Sequence, residues 1–254
     1  MSELLVEKAG AVETWTLNAE PRRNALSRAL VAAFSQEVAA VSASRRARAV
    51  IVTGAGTQAF CAGADLKERS TMSQSEVQVF LQHLKATFRS LETSPVVFIA
   101  YVNGVAFGGG TELALACDVR MAAPHAQFGL TETSLGIIPG AGGTQRLVRL
   151  VGMGQAKKLI LAAQRVSADQ ALGLGLVEQI GTMEDARAYA SSVAQNAPLA
   201  VGWAKEAMDA GAHLGLDDAL NVEQRCYERT LGTEDRLEGL LAFAQKRRPD
   251  FKGR

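Results

Sequence analysis

Two stretches of the chain, 47–53 (ARAVIVT) and 96–102 (VVFIAYV), are short, β-branched and apolar at nearly every position. Strands of that kind are buried on both faces, which is the mark of parallel sheet joined by crossover helices. The sequence between them provides such a helix. Ser73-Gln74-Ser75-Glu76 is a capping box, and it opens a helix expected to reach about residue 91. Before the first run, 12–17 alternates as a half-buried strand, and Leu30, Val31, Phe34, Val38 and Val41 form one stripe of a helix over 27–41. After the second run come a glycine-rich turn, a helix over 110–117 and a strand over 119–122. From residue 144 the pattern turns almost wholly helical: Ser167 caps a short helix, Pro198 opens another, and two more span 217–230 and 234–246. The expected architecture is therefore α/β, with a body over 1–195 and a helical region over 196–254.

The charge balance narrows the partners. With 27 Lys+Arg against 26 Asp+Glu, the net charge of +1 supplies no broad pull towards nucleic acid or acidic membrane. A basic stripe on the first helix would argue for RNA, but positions 28, 32 and 36 hold Arg28, Ala32 and Gln36. Cys61, Cys117 and Cys226 are too few and too irregular for a disulfide framework or a zinc site, and they suit a reducing compartment. The longest uncharged run, 94–111, is interrupted by Pro95 and glycines, a poor membrane span. A cytoplasmic protein without metal, nucleic-acid or membrane partner is expected.

Several motifs lead nowhere. Gly54-Ala55-Gly56-Thr57-Gln58-Ala59 fits G-x-G-x-x-A after a strand, but no helical run follows, so it reads as a strand-to-loop turn. Neither a phosphate-binding G-x-x-x-x-G-K-[ST] nor a G-x-S-x-G elbow is present, and His83, His125 and His213 share no ligand spacing.

Two glycine-rich segments are different. In 103–113 (NGVAFGGGTEL), three successive glycines stand between a buried strand and a helix. They cost backbone entropy, and they allow a ligand to approach main-chain N–H groups at a helix N-terminus. Read alone, Glu112 is a first-turn acid complementing the helix dipole. In 128–144 (FGLTETSLGIIPGAGGT), Glu132 is a lone acid among uncharged residues, where burial would raise its pKa. Brought together, the two carboxyls could share acid/base work on one water. A third segment, 60–67 (FCAGADLK), could add an N–H beside the first glycine loop, completing an oxyanion hole.

These three segments, in this order and spacing, resemble the signature blocks of the crotonase (enoyl-CoA hydratase/isomerase) superfamily, over essentially the whole chain. The resemblance implies a spiral of ββα repeats with a C-terminal helical trimerisation region, assembled as a homotrimer or as a hexamer of two trimers. It implies an acyl-CoA thioester substrate and no separate cofactor. Ala64 and Gly109 would supply the oxyanion-hole amides, Glu112 would activate water, and Glu132 would exchange the α-carbon proton. Asp65, Leu66 and Lys67 would lie along the CoA arm, with Arg22, Arg23 and Lys246 as candidates for its phosphates. Because both glutamates are present, hydration or its reversal is the implied reaction. Segments 65–77 and 226–243 resemble methylglutaconyl-CoA hydratases in particular, which implies interconversion of 3-methylglutaconyl-CoA and 3-hydroxy-3-methylglutaryl-CoA. A general short-chain enoyl-CoA hydratase is the alternative. The substrate's distal carboxylate would need a partner, for which Lys67, Arg69 and Tyr227 are candidates. Thr111, Ser134, Gly136 and Ala141 depart from the family pattern in the pocket-lining blocks.

Overall fold

The structure, a computed structural model, describes residues 2–254. A hairpin of β1 (Leu4–Ala9) and β2 (Val12–Leu17) leads through a 3-10 turn at Glu20–Arg22 to α1 (Arg28–Ser44). Three similar turns follow. The first is β3 (Ala49–Gly54), β4 (Ala59–Cys61), α2 (Leu66–Arg69) and α3 (Gln74–Thr93). The second is β5 (Val97–Val102), β6 (Val105–Phe107) and α4 (Gly109–Ala116). The third is β7 (Val119–Ala122), β8 (Gln127–Gly129), a 3-10 turn at Glu132–Leu135 and α5 (Gly143–Leu161), which breaks at Gly152. Then come β9 (Val166–Ser167), α6 (Ala168–Gly173), β10 (Gln179–Ile180), α7 (Met183–Ala194), α8 (Pro198–Gly211), α9 (Leu216–Thr230) and α10 (Glu234–Ala244).

Each turn enters one sheet, steps to a second, and leaves through a helix. The first sheet has the order β1-β2-β3-β5-β7-β10 and the second β4-β6-β8-β9. All pairings from β2 to β10 in the first sheet, and from β4 to β8 in the second, are parallel. This is the expected spiral of ββα repeats.

Strands β3 and β5 are buried at every position, as their composition requires. Ile51, Ile99 and Tyr101 face Ala186 and Ala190 of α7 on one side. Val50, Val52, Phe98 and Ala100 join the main core on the other, where Trp15 meets Phe34 and Phe98 edge-on at 5.5 and 5.6 Å. Cys61, Cys117 and Cys226 are free and buried, and burial pushes the Cys61 and Cys117 thiols up to about 12.

Three details differ from the sequence reading. β9 and β10 interrupt the region expected to be helical; at two residues each they are too short to show a period, and only their partners β8 and β7 define them. Helix α1 runs on to Ser44, where Arg45 turns left-handed at φ 50°. Helix α10 stops at Ala244, and Lys246 lies beyond it at φ 53°. The segment 54–59 opens no helix, and it forms the expected strand-to-loop turn.

The helical region is tied to the body by buried polar contacts. Lys205 of α8 donates to Leu91 O at 2.7 Å, Val96 O at 3.2 Å and Asp118 Oδ2 at 2.9 Å. Arg48 donates to Ala194 O and Phe251 O, and Asp235 accepts from the N–H groups of Lys252 and Gly253, folding the C-terminal residues onto α10. Among the described residues no helix is long and apolar enough to cross a membrane.

Asn103, where β5 leaves the first sheet, organises the crossing. Its Nδ2 donates to Gly54 O at 2.8 Å and Gly56 O at 2.7 Å, and its Oδ1 accepts from Gly54 N at 3.0 Å. Asn103→Ala leaves three main-chain groups without partners and should lower unfolding stability by roughly 2–4 kcal/mol. A urea midpoint equal to wild type would show that this loop holds itself in place.

Candidate active site

The amides come first. Leu26 pairs with Ala64 as an isolated parallel bridge: Leu26 N donates to Gly63 O at 2.8 Å, and Asp65 N donates to Leu26 O at 3.2 Å. That register turns the N–H of Ala64 itself away from the partner. Gly109 is the first residue of α4, where an N–H has no acceptor within its own helix. The two amides are neighbours: a β-carbon on Gly63 would lie 3.4 Å from Gly109 N, and one on Gly109 would lie 3.8 Å from Ala64 N. Among the described residues neither amide has a hydrogen-bond acceptor, so both are free to grip one external oxygen.

The glycines at the start of α4 have specific jobs. Gly108 sits at φ 50°, ψ −123°, a conformation closed to other residues, and its N–H donates to Gly129 O at 2.8 Å. Gly110 lies so close to β4 that a β-carbon there would come within 2.0 Å of Cys61 O. Thr111, a departure from the family pattern, bonds Ala106 O at 2.6 Å and both main-chain groups of Gly129 at 3.2 Å, locking α4 to the end of β8.

The carboxyls lie on either side of that junction. Glu112 is 2% exposed, and its Oε1 accepts from Ala141 N and Gly143 N, each at 2.8 Å. Burial raises its pKa, and the two amides and the charges of Arg146 and Lys85 only partly offset this. Glu132 is 9% exposed and approaches Gly108, whose β-carbon would stand 3.1 Å from Glu132 Oε1. Its Oε2 is buried without a hydrogen-bond partner. Burial pushes Glu132 up to about 7; its own N–H works against this, and the nearby Glu112 charge adds to it. One carboxyl is thus pinned by amides and the other is poised to hold a proton near neutrality, an arrangement for acid/base chemistry on one water.

The sequence pattern of the enoyl-CoA hydratase/isomerase family matches residues 7–254. The crystal structure of an enoyl-CoA hydratase from Bacillus anthracis superposes with a TM-score of 0.97 at 46% identity, covering 99% of this chain and 100% of that one. The mitochondrial methylglutaconyl-CoA hydratase of Homo sapiens is 41% identical over 98% of this chain and 76% of its own length. The human mitochondrial enoyl-CoA hydratase domain-containing protein 2 is 42% identical over 94% and 84%. The chain belongs to the enoyl-CoA hydratase/isomerase family. It is an enzyme of that family, and its named hydratase relatives are hydro-lyases.

Within this family member, the other candidates fall in different places. Asp65 is buried and caps α2, accepting from Lys67 N and Glu68 N at 3.1 Å, and from Arg22 at 2.9 Å. Burial opposes its ionisation, but the Glu68 N–H, Arg22 and the Lys67 N–H together hold it below the usual carboxylate range. The Asp65 carboxylate is therefore committed to partners within the chain, as is the exposed Arg22 guanidinium, which also pairs with Glu3. Arg23, Leu66 and Lys67 are exposed near Ala64, and Arg69 is half-buried at the end of α2. Lys246 is exposed beyond α10. Tyr227 lines a groove among α8, α9 and α10 that contains no residue of the glycine segments, so the structure separates it from the carboxyls of its own chain. The amides of Ala141 and Gly143, and the bridge from Leu26, were not singled out in the sequence. The glycines of 140–143 were the available signal for the first pair.

A carboxyl raised on folding stabilises the fold fully below its unfolded value and loses that contribution as pH rises towards its folded value. For Glu132 the window runs from 4.5 to about 7, worth roughly 3 kcal/mol. Glu132→Gln should therefore be more stable than wild type at pH 8, with the difference shrinking towards pH 4.5. Thermal melts with no pH-dependent difference would mean that Glu132 is not buried in this way.

Proposed function

We propose that the protein adds water to, or removes it from, the α,β-double bond of an acyl-CoA thioester, with 3-methylglutaconyl-CoA and 3-hydroxy-3-methylglutaryl-CoA as its pair. The observation that carries the reaction is the asymmetry of Glu112 and Glu132 beside two unpaired amides. In hydration, the thioester oxygen sits on the N–H groups of Ala64 and Gly109 and gains charge as the enolate forms. Each such donor is worth roughly 3–4 kcal/mol in the transition state. Glu112 takes a proton from water as the water oxygen bonds to the β-carbon, and Glu132 delivers its proton to the α-carbon. Dehydration reverses both transfers. CoA arrives as part of the substrate, and the two carboxyls and two amides supply the chemistry without a resident cofactor.

The acyl group is supported by the human methylglutaconyl-CoA hydratase among the relatives and by the resemblance of segments 65–77 and 226–243. The assembly proposed is a homotrimer, or two trimers as a hexamer, through the helical region; light scattering that gave the mass of a single chain would remove it.

Glu112→Gln and Glu132→Gln should each keep CoA-thioester binding and lose at least about 100-fold in kcat. A near wild-type rate in either would take that glutamate out of the reaction. On a panel of thioesters, wild type should prefer 3-methylglutaconyl-CoA to crotonyl-CoA in kcat/KM. Equal values would make the protein a general short-chain hydratase.

A further inference from the structure

A methylglutaconyl thioester differs from a simple enoyl thioester in carrying a carboxylate beyond its β-carbon, and a carboxylate brought into a closed site needs a cation. Of the three candidates from the sequence, Tyr227 lies in the groove of the helical region and Lys67 and Arg69 lie on α2, at the thioester end near Ala64. The structure offers another cation, on the helix that packs against the loop holding Glu112.

Helix α3 lies against the loop that holds Glu112. A β-carbon on Gly140 would come within 2.9 Å of Leu81 Cδ2, and the next residues of that loop, Ala141 and Gly143, donate to Glu112. Leu84 and Phe88 of the same helix line a small apolar space with Leu113, the neighbour of Glu112. Lys85 follows Leu84 and stands one helical turn on from Leu81, on the edge of α3 that borders the loop. Its charge is felt at the Glu112 carboxyl together with that of Arg146.

The two cations differ in what they are free to do. Arg146 is committed, with Nε paired to Glu92 and Nη1 donating to Ala141 O at 2.7 Å. Glu92 also pairs with Arg89, so one carboxylate serves two guanidinium groups. Among the described residues, Lys85 has neither a carboxylate within 4 Å nor a hydrogen-bond partner, and it is exposed. Lys85 is thus a flexible ammonium left uncommitted on the helix that packs against the loop holding Glu112.

We propose that Lys85 is a specificity-determining residue that pairs with the distal carboxylate of the acyl group, an assignment that rests on the dicarboxylic-acyl reading above. It selects acyl groups bearing a terminal carboxylate over those ending in a methyl. Its pairing strengthens when the bound acyl group displaces water from around it.

The test compares kcat/KM for 3-methylglutaconyl-CoA and crotonyl-CoA in wild type, Lys85→Met, Lys85→Arg and Arg69→Gln. Taking the ratio of the two substrates cancels any effect of Lys85 on Glu112 that both share. Lys85→Met should lower the ratio by about 10- to 100-fold, chiefly through KM for the dicarboxylic substrate, the range expected for a charge-assisted hydrogen bond. Lys85→Arg should restore most of it. An unchanged ratio in Lys85→Met, with wild type still preferring 3-methylglutaconyl-CoA, overturns the role of Lys85 and leaves the substrate reading standing. A collapse of the ratio in Arg69→Gln instead assigns the contact to Arg69. Failure of wild type to turn over 3-methylglutaconyl-CoA overturns the substrate reading itself.

Discussion

Parallel pairing of β3, β5 and β7 imposes the geometry from which the site follows. Parallel neighbours cannot be joined by a tight turn, so the chain leaves each strand at the same edge and must travel before returning. Here it leaves by crossing to β4, β6 and β8, which are again parallel to one another. The segments that follow these three short strands therefore emerge side by side: Ala62–Asp65, Gly108–Glu112 and Leu130–Glu132. Ala64 has an unpaired amide because its bridge with Leu26 turns that N–H away, and Gly109 because the first N–H of a helix has no acceptor within it.

Electrostatics divides the two glutamates. Both are carried out of water by the same fold, and both are pushed towards the protonated form. Two main-chain N–H groups stabilise the anion of Glu112, whereas Glu132 leaves one oxygen buried without a partner. The main chain thus favours the anion of Glu112 in a way that it does not favour that of Glu132, as expected for neighbouring carboxyls in unequal surroundings. Unsatisfied polar atoms are costly in a stable core, and here the cost falls where a substrate and its water would enter.

Much of this was legible from local pattern. Burial of 47–53 and 96–102, the capping boxes at Ser73 and Ser167, and the isolation of Glu132 each depend on residues within a few positions of one another. The family resemblance added which acids and amides to pair. The strands β9 and β10 were invisible because two residues carry no period. The commitment of the Asp65 carboxylate was equally out of reach of the sequence, because the N–H groups of Lys67 and Glu68 and the side chain of Arg22 claim it only in the folded chain.

The amino-acid sequence by itself determined the class of fold, the glycines that only close approach demands, and the isolation of Glu132, because hydrophobic period, capping and backbone permissiveness are short-range properties. Only the tertiary structure decided which amides stay unpaired, which glutamate is pinned by Ala141 and Gly143, and which cation on α3 is left uncommitted. Those depend on register between strands and on contacts between segments tens of residues apart, and a hydrogen bond or an ion pair exists only once both partners have been placed.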